Sequence, residues 1–282
     1  MLILSCSSKL QLLENVLRKG LPETVLVCGA VMHINRGNPA QHEVVVDSWP
    51  EFKAVLTRPR KEILKDKKDY YTNLHAAFYR EEEACRTLLE NKDAVDWDTA
   101  FQLQGLQDGI YDTMKVMAEA RNVHMKSHFY QALLHPDADT FCQNELRSEP
   151  LFFGTLNSSY AAVLNDTYEF GRNNWSLRYL RRLIEDFPNV CLRDQYGQPV
   201  AWSLSDALGC LTHGYAIPEY RGKGHMRTVI TALSQKLHDQ DFALYTRVKP
   251  ENKVSKQALS NLGFHILPFT KYILFFIPND LE

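Results

Sequence analysis

The sequence predicts an α+β protein of two domains, in which mixed, mostly antiparallel sheets are flanked by helices. Three observations support this prediction. Strand-like runs occur together with amphipathic helical runs along the chain. The pattern stops in a proline-containing, weakly periodic stretch at residues 134–150. It restarts after that stretch, and we therefore divide the chain into domains at residues 1–145 and 150–282.

The composition is that of a globular protein with no bias towards nucleic-acid binding. The 282 residues are 45% hydrophobic and 23% charged, with a net charge of −2. The six cysteines form no CxxC pair and no cluster with histidines, so we expect reduced thiols in an intracellular protein and no metal site. No apolar run approaches the roughly 20 residues of a membrane span, and residues 1–21 lack a signal-peptide core. Mitochondrial and cytoplasmic locations both stay open.

In the first domain, leucines at helical spacing predict a helix over residues 8–18. The continuous apolar run 25–34 predicts a strand, and the turn at 35–39 joins it to the next strand as an antiparallel hairpin. Further strands are predicted at residues 43–47 and 53–57, and further helices at residues 81–91, 98–110 and 111–120.

In the second domain, a short strand at 151–156 precedes a strongly amphipathic helix at 175–187. A β-hairpin follows, with strands at 190–193 and 199–204 around the turn 194–198. The remaining pattern predicts strands at 208–217 and 242–248, helices at 222–238 and 253–262, and one or two strands at 265–277.

The most informative segment is residues 214–227, where a strand ends and a helix begins through a turn with two glycines. Such a turn presents backbone N–H groups without helical partners, with the positive end of the helix dipole behind them, and therefore suits a phosphate. Gly222 and Gly224 allow a diphosphate to approach closely. Three basic residues add positive charge to the turn: Arg221, Lys223 and Arg227.

Two other phosphate-binding patterns are not supported. The chain has no GxxxxGK[S/T] segment, so a nucleoside-triphosphate P-loop is not indicated. It also lacks a GxGxxG segment followed by an acidic residue at a second strand end, so a Rossmann site is not indicated either.

The order hairpin, strand, Arg-x-x-Gly helix, strand, helix, strand resembles the Gcn5-related N-acetyltransferase superfamily, whose diphosphate loop is Gln/Arg-x-x-Gly-x-Gly/Ala. Arg221 and Gly224 match its first and fourth positions, and Met226 departs at the sixth. The segment from Asn252-x-x-Ser255 to residue 264 resembles the second cofactor motif. The resemblance implies these cofactor-binding residues: Tyr215, Ala216, Ile217, Arg221, Gly222, Lys223, Gly224, His225, Met226, Arg227, Asn252 and Ser255.

Longer strings resemble the glycine N-acyltransferase family, with coverage from residue 1 to at least residue 264. They lie at residues 1–4, 29–39, 47–50, 71–73, 102–107, 199–202 and 218–221. The resemblance implies two tandem Gcn5-related N-acetyltransferase-like domains, of which the N-terminal one is degenerate. It also implies acyl-CoA as donor co-substrate, no permanently bound cofactor, and glycine or, in some members, glutamine as acceptor. We expect a monomer that acts on small molecules.

The resemblance places the general base at Cys210 and the proton donor for the departing thiolate at Leu259, where the family's glutamate and the superfamily's tyrosine stand. A neutral thiol with a pKa of about 8.5 is a poor substitute for a carboxylate base. Asp206, His213 and a water-mediated route therefore stay open as replacements. The imidazole of His213 titrates in the right range, but strand alternation puts it on the opposite face from Cys210.

Three functions remain open on the sequence alone. The first is an acyl-CoA:amino-acid N-acyltransferase that conjugates glycine. The second is a protein that binds acyl-CoA but has lost turnover, as the residues at positions 210 and 259 suggest. The third is a protein or peptide acetyltransferase, which would need an open groove for its acceptor.

Overall fold

The computed structural model describes residues 1–137, 139 and 151–281, and the chain divides into two compact units. The first unit comprises Met1–Ala132 and Leu267–Glu282, and the second comprises Leu133–Ile266. The predicted division differs from these units because it assigned the last segment to the second domain. The predicted linker, 134–150, lies largely outside the described residues. That the two units are tandem copies of one fold stays a prediction.

The first unit contains a mixed sheet and four described helices. Its strands are β1 (Leu2–Leu4), β2 (His42–Val46), β3 (Ala54–Pro59), β4 (Leu74–Tyr79), β5 (Phe101–Gly105), most of β6 (Val123–Leu134) and most of β12 (His265–Pro278). Its helices are α1 (Ser7–Lys19), α2 (Val25–Asn35), α3 (Glu82–Glu90) and α4 (Asp108–Ala120), with short 3₁₀ turns at Lys61–Ile63 and Asn279–Leu281.

The strand order in this unit is β1-β2-β3-β4-β5-β12-β6. Pairing is antiparallel throughout β1–β4, parallel between β4 and β5, and antiparallel between β5 and β12. In β12, Phe276 is fully buried and stacks on Phe101 of β5 with ring centroids 4.6 Å apart. The last strand therefore belongs to the core of the first unit, which is why the division by sequence position failed there.

The prediction of a strand at 25–34 is wrong, because these residues form α2. Every residue from Val25 to His33 is buried, so the helix is apolar on all sides and lacks the one-sided spacing that identifies surface helices. Asn35 at its end donates from Nδ2 to the Glu14 carboxylate of α1 at 2.7 Å, which ties the two helices together. The predicted hairpin around residues 35–39 therefore does not exist.

The prediction of a helix at 98–110 is also wrong. Residues Phe101–Gly105 form β5, and the helix that follows begins only at Asp108. The glutamines of β5 obscured the strand pattern, because both are buried although they are polar: Gln102 donates to the Tyr71 carbonyl and Gln104 donates to Gln102. Strand β6 was missed altogether, since its apolar Phe129 is exposed while the polar residues Ser127, His128 and Gln131 are half-buried.

The second unit contains a mixed sheet and four described helices, three of them at nearly the predicted places. Its strands are β7 (Phe152–Gly154), β8 (Asn189–Arg193), β9 (Pro199–Ser205), β10 (Leu211–Ala216) and β11 (Tyr245–Val248). Its helices are α5 (Ala161–Thr167), which was not predicted, α6 (Asn174–Asp186), α7 (His225–His238) and α8 (Lys253–Ser260), with 3₁₀ turns at Ser158–Tyr160 and Pro218–Tyr220.

Strands β7, β8, β9 and β10 are antiparallel neighbours, and β11 joins β10 in parallel. Helix α7 packs against β8, β9 and β10. The predicted α+β class, with a mixed sheet flanked by helices, is confirmed. None of the helices in the described ranges combines the length and the apolar character that a membrane crossing requires.

Candidate functional site

The parallel strands β10 and β11 of the second unit are joined at one end only. Within the described residues their register pairs Leu211 with Thr246 and no later position of β10. The Thr246 hydroxyl donates to the Leu211 carbonyl at 2.8 Å and the Tyr245 hydroxyl to the Leu208 carbonyl at 2.8 Å, which fixes the joined end. We call the gap between residues 213–216 and the end of β11 the strand opening.

A bulge in β10 sets the direction of its backbone at the strand opening. The register with β9 shifts between Thr212 and Tyr215, so β10 carries one extra residue there. His213 takes up the extra length with a φ of 51°, in the left-handed region. After the bulge Ile217 donates to the Val200 carbonyl of β9. Because antiparallel backbone groups alternate in direction, the Ala216 amide points away from β9, towards the opening.

The turn between β10 and α7 is a loop of exposed backbone amides. Gly222 and Gly224 have φ values of 75° and 81°, and Gly224 is the N-cap of α7. No amide of residues 222–227 donates a backbone hydrogen bond to another described residue, and the first to do so is Thr228. A Cβ at either glycine would meet nothing within 4 Å. Glycine is therefore required here by the left-handed conformation and not by crowding.

Basic side chains surround these amides. Arg221 donates from Nε to the Ala216 carbonyl at 3.0 Å and lies over the Tyr215 ring, so it braces the loop against β10. Lys223 lies over the Tyr220 ring, and Arg227 is exposed on the first turn of α7. Together the amides, the helix N-terminus and these charges form a surface suited to a diphosphate.

Two further residues of this loop make packing contacts. Met226 lies on β10, where its Cε would be only 3.1 Å from a Cβ at position 214, so Gly214 provides the space for it. Partial burial and then the charge of Lys223 lower the pKa of His225, which is therefore neutral near pH 7. A neutral His225 does not add to the positive charge of the loop.

Asp206, one of the candidate bases, is part of the turn that leads into β10. It is 2% exposed, and its Oδ1 accepts from the Leu208 and Cys210 amides at 2.9 and 3.1 Å. The same turn is closed by a hydrogen bond from the Gly209 amide to the Asp206 carbonyl. These contacts make Asp206 a structural residue of the turn.

Cys210 is completely buried at the joined end of the two strands. Its thiol donates to the Leu211 carbonyl at 3.5 Å, and Nη1 of Arg247 lies 3.8 Å from its sulfur. The same Nη1 lies 3.8 Å from Oδ2 of Asp206. Cys210 is thus brought close to Asp206 and to a cation, but it has no exposed surface from which to act on a substrate.

His213 packs among aromatic rings beside the strand opening. Its ring centroid is 4.4 Å from that of Tyr168 and 6.1 Å from that of Tyr179. The residue as a whole is half-buried, but its Nε2 is sealed from solvent and has no hydrogen-bond partner in the described part of the chain. Burial, and then the charge of Arg247, lower its pKa to about 3. His213 is therefore neutral and only weakly basic near pH 7.

The second predicted cofactor segment forms α8. The Asn252 side chain is the N-cap and accepts from the Ser255 amide at 3.0 Å. Leu259, at the position of the expected proton donor, is 6% exposed and accepts a backbone hydrogen bond from Phe264. The described residues thus place no hydroxyl at that position.

Sequence reasoning missed Arg247 and the loop at residues 168–170. Arg247 interrupts an otherwise apolar strand pattern at residues 242–248, which is a weak signal. The loop has no local signal, although Tyr168 covers His213 and Glu169 forms an ion pair with Lys249 at 2.5 Å. Both features depend on contacts between residues distant in sequence.

Two family profiles and several curated relatives match most of the chain. The profile described as aralkyl acyl-CoA:amino acid N-acyltransferase matches residues 1–188, and that of its C-terminal region matches residues 190–273. Human glycine N-acyltransferase-like protein 2 is 32% identical and covers 95% of each chain. Human glycine N-acyltransferase-like protein 1 is 33% identical over 94% of this chain and 93% of the relative. Glycine N-acyltransferase of Bos taurus is 30% identical over 95% and 96%.

Solved structures share the fold at much lower sequence identity. The X-ray structure of a Drosophila protein aligns with 99% of this chain and 98% of its own, with a TM-score of 0.80 and 14% identity. A GCN5-related N-acetyltransferase from Kribbella flavida aligns with 90% of this chain and 98% of its own, with a TM-score of 0.51 and 13% identity. The expected acetyltransferase-like fold class is confirmed.

Proposed function

Because this chain belongs to the aralkyl acyl-CoA:amino acid N-acyltransferase family, we propose that it transfers the acyl group of an acyl-CoA to the amine of glycine. The products are an N-acylglycine and free CoA. Relatives named glycine N-acyltransferases support glycine as the acceptor, at about one-third sequence identity. Glutamine is the alternative acceptor.

The loop at residues 221–227 is the observation on which the proposal mainly rests. The amides of residues 222–227, which donate no backbone hydrogen bond to another described residue, and the basic side chains of the loop suit the charge of the CoA diphosphate. The pantetheine arm would then extend along β10 into the strand opening. CoA is a co-substrate in this scheme, so its release completes each turnover.

The thioester carbonyl would lie against the Ala216 amide, which points into the opening. A fixed backbone N–H there would stabilise the negative charge that develops on the carbonyl oxygen. The expectation from sequence included Tyr215 in this role. The register with β9 favours Ala216, because the Tyr215 amide points towards Trp202 of β9.

The reaction consists of attack of the neutral amine on the thioester carbon. A C–N bond forms, the C–S bond breaks from the tetrahedral intermediate, and the amine proton passes to solvent while the thiolate leaves. At neutral pH about 0.1–1% of an amine with a pKa near ten is deprotonated. Since Asp206 is held in a turn, Cys210 is buried and His213 is weakly basic, we propose that the amine enters as the free base.

Mixing the protein with a panel of acyl-CoAs and amino acids tests this function. Thiol release should require both substrates, and mass spectrometry should identify the N-acyl amino acid. At subsaturating glycine the rate should rise about tenfold per pH unit from pH 6 to 9, following the free amine. No thiol release with any pair would overturn the proposal.

A second candidate function is acyl-CoA binding without efficient turnover, which the buried Cys210 and Leu259 favour. It predicts tight binding of CoA esters with no thiol release. The Cys210→Glu variant distinguishes the two candidates. If a missing base limits turnover, this variant should gain about tenfold or more at pH 7, whereas Cys210→Ala should not.

A further inference from the structure

Helix α1 of the first unit carries a row of exposed side chains that are either apolar or basic. Its members follow one another at intervals of three or four residues, so they are neighbours along one side of the helix: Lys9, Leu12, Val16 and Lys19. Leu12 is 57% exposed and Val16 is 37% exposed. We call these four residues the α1 row. Its two apolar members lie in the middle, and a lysine lies at each end.

No exposed acidic residue of α1 balances the charge of the row. Glu14 is the only acidic residue of the helix, and it is 8% exposed. Its carboxylate accepts hydrogen bonds from the guanidinium groups of Arg18 and Arg36. In the described part of the chain neither lysine of the row belongs to an ion pair, since those of α1 are made by the two arginines. The exposed side of α1 is therefore apolar and positively charged.

Strand β1, which precedes α1, adds apolar surface on the same side of the sheet. Leu2 is 48% exposed and lies opposite Val46 of β2, so both side chains project from one face. The other face carries Val45, which shares a core with α3 and α4. Helix α2 packs on β2, β3 and β4, and α1 packs on α2. Leu2 therefore projects from the face that α1 and α2 cover.

The charges of the row distinguish a lipid surface from a second copy of the chain. A two-fold contact places the same patch of both copies together. An antiparallel pair of α1 helices would then put Lys9 opposite Lys19, and the exposed side of α1 offers no acidic residue to compensate. A bilayer with anionic lipids accepts a single helix lying in its plane. Its apolar side chains enter the acyl boundary, and lysine side chains extend to the headgroups.

From this arrangement we propose that the α1 row, together with Leu2, binds the protein reversibly to the surface of a membrane that contains anionic phospholipids. The lysines bracket the apolar pair over about 15 Å of helix, which suits a helix lying flat in the headgroup region. The inference goes beyond the proposed function and does not depend on it. Long-chain acyl-CoAs are amphiphiles that enter the same interface, so this docking would concentrate such donors around the protein.

Co-sedimentation of the full chain with lipid vesicles provides the first test. Vesicles of phosphatidylcholine with about 30 mol% phosphatidylserine are compared with vesicles of phosphatidylcholine alone. The protein should bind the anionic vesicles about tenfold or more tightly, because each lysine near such a surface contributes to the affinity. Raising the salt concentration to about 0.5 M should weaken this binding severalfold. Absence of binding to the anionic vesicles would overturn the proposal.

The apolar part of the row is tested by the double variant Leu12→Gln/Val16→Gln. It should weaken binding to the anionic vesicles about tenfold, since two side chains can no longer enter the acyl boundary. The control is Val116→Gln/Val163→Gln, which changes exposed valines of α4 and α5 and should alter binding less than twofold. All four positions are exposed, and urea unfolding verifies that each variant folds. Equal effects of the two double variants would contradict the proposal.

The basic part of the row is tested by Lys9→Gln/Lys19→Gln. It should weaken binding to the anionic vesicles about tenfold or more and leave binding to neutral vesicles unchanged. The control is Lys115→Gln/Lys126→Gln, which removes the same charge from exposed positions of α4 and β6. Equal losses in both variants would show that only the overall charge matters and would overturn the proposal.

Sedimentation equilibrium tests the other occupant, a second copy of the chain. The wild-type protein should show no association that the change Leu12→Gln/Val16→Gln abolishes. A dimer that this variant dissociates, together with no binding of the wild-type protein to anionic vesicles, would assign the row to a contact between copies and contradict the proposal. None of these measurements requires turnover, so their outcome is independent of whether the acyl transfer is observed.

Discussion

At the scale of single residues, the loop at 221–227 depends on two glycines in the left-handed region. The chain offers a comparison, since Gly197 in the turn between β8 and β9 has a φ of 78°, and a Cβ added there would also meet nothing within 4 Å. Gly224 has a φ of 81° and the same open surroundings. Both glycines therefore need a left-handed backbone. They differ in their position, because Gly197 lies in a hairpin turn and Gly224 lies in the basic loop before α7.

Replacing Gly197 or Gly224 by alanine should lower the free energy of unfolding by about 1–2 kcal/mol, because each substitution places a Cβ on a left-handed backbone. Only Gly224→Ala should also weaken CoA binding, at least tenfold, since relaxation of the backbone would turn the loop amides away. Urea unfolding and calorimetric titration with CoA measure the two effects. Equal CoA affinity in both variants would show that the loop is not the diphosphate site.

His75 makes the stability of the first unit depend on pH. It is 3% exposed, and burial lowers its pKa to about 4, below the value near 6.5 in an unfolded chain. Between these values the unfolded state binds the proton, so stability falls as the pH falls. His75→Phe keeps the ring beside Phe101 and should remove about 2 kcal/mol of the stability loss between pH 7 and pH 5.

Urea unfolding at the two pH values measures this difference. His265→Phe is the control, because His265 is exposed at the start of β12. A pH dependence that is the same in wild type and His75→Phe would contradict the assigned cause.

At the scale of elements, α8 shows how a side chain predicted to bind cofactor is used in the fold. Asn252→Ala should cost about 1 kcal/mol, because it removes the acceptor for the Ser255 amide, and Asn252→Asp should keep most of the stability. Thermal unfolding measures the loss, and CoA titration shows whether Asn252 has a second role. A loss of CoA affinity in Asn252→Asp with unchanged stability would favour direct cofactor binding.

Elements with one apolar face were predictable from the sequence, and elements without one were not. Helices α1, α6 and α7 were placed within a few residues, since their burial follows the helical repeat. Helix α2 was taken for a strand because it is buried all round. Strand β5 was taken for a helix because its glutamines are buried by contacts made far along the chain.

The candidate site also has parts that were predictable from the sequence and parts that were not. The loop at 221–227 was predictable because one short segment supplies the glycines, the amides and the charges. The surroundings of His213 were not, since Tyr168 comes from a distant loop and the bulge interrupts the regular alternation from which its face was deduced. Arg247 lies beside Asp206 and Cys210 because β11 pairs with β10, and local pattern does not specify that pairing.

At the scale of the whole molecule, the described residues include a parallel strand pair in each unit, β4 with β5 and β10 with β11, and the two pairs differ. In the first unit β4 and β5 pair at three positions, beginning with Leu74 and Gln102. Glu81 is the N-cap of the helix after β4, and Glu82 and Glu83 lie in its first turn, so this helix end would repel a phosphate. In the second unit β10 and β11 pair at the single position of Leu211 and Thr246, and the basic loop at 221–227 follows β10. Of the two units as described, the second is therefore the one that fits the proposed CoA site.

The first unit depends on the end of the chain for its core. Phe276→Ala should cost about 3–5 kcal/mol, because it removes a fully buried ring stacked on Phe101. Ile266→Ala, at an exposed position of the same strand, should cost less than about 1 kcal/mol. Hydrogen exchange should show faster opening of β5 in Phe276→Ala. A loss of protection confined to the second unit would contradict this assignment.

The return of β12 to the first unit also has a consequence for the order of events during biosynthesis. Translation at roughly 5–20 residues per second leaves β5 without its neighbour for about 7–27 s while residues 133–266 are made. The second unit is continuous in the chain and can form as it leaves the ribosome. The first unit, although most of it is synthesised first, can close only after β12 has been made, so the edge of β5 stays unpaired while the second unit is synthesised.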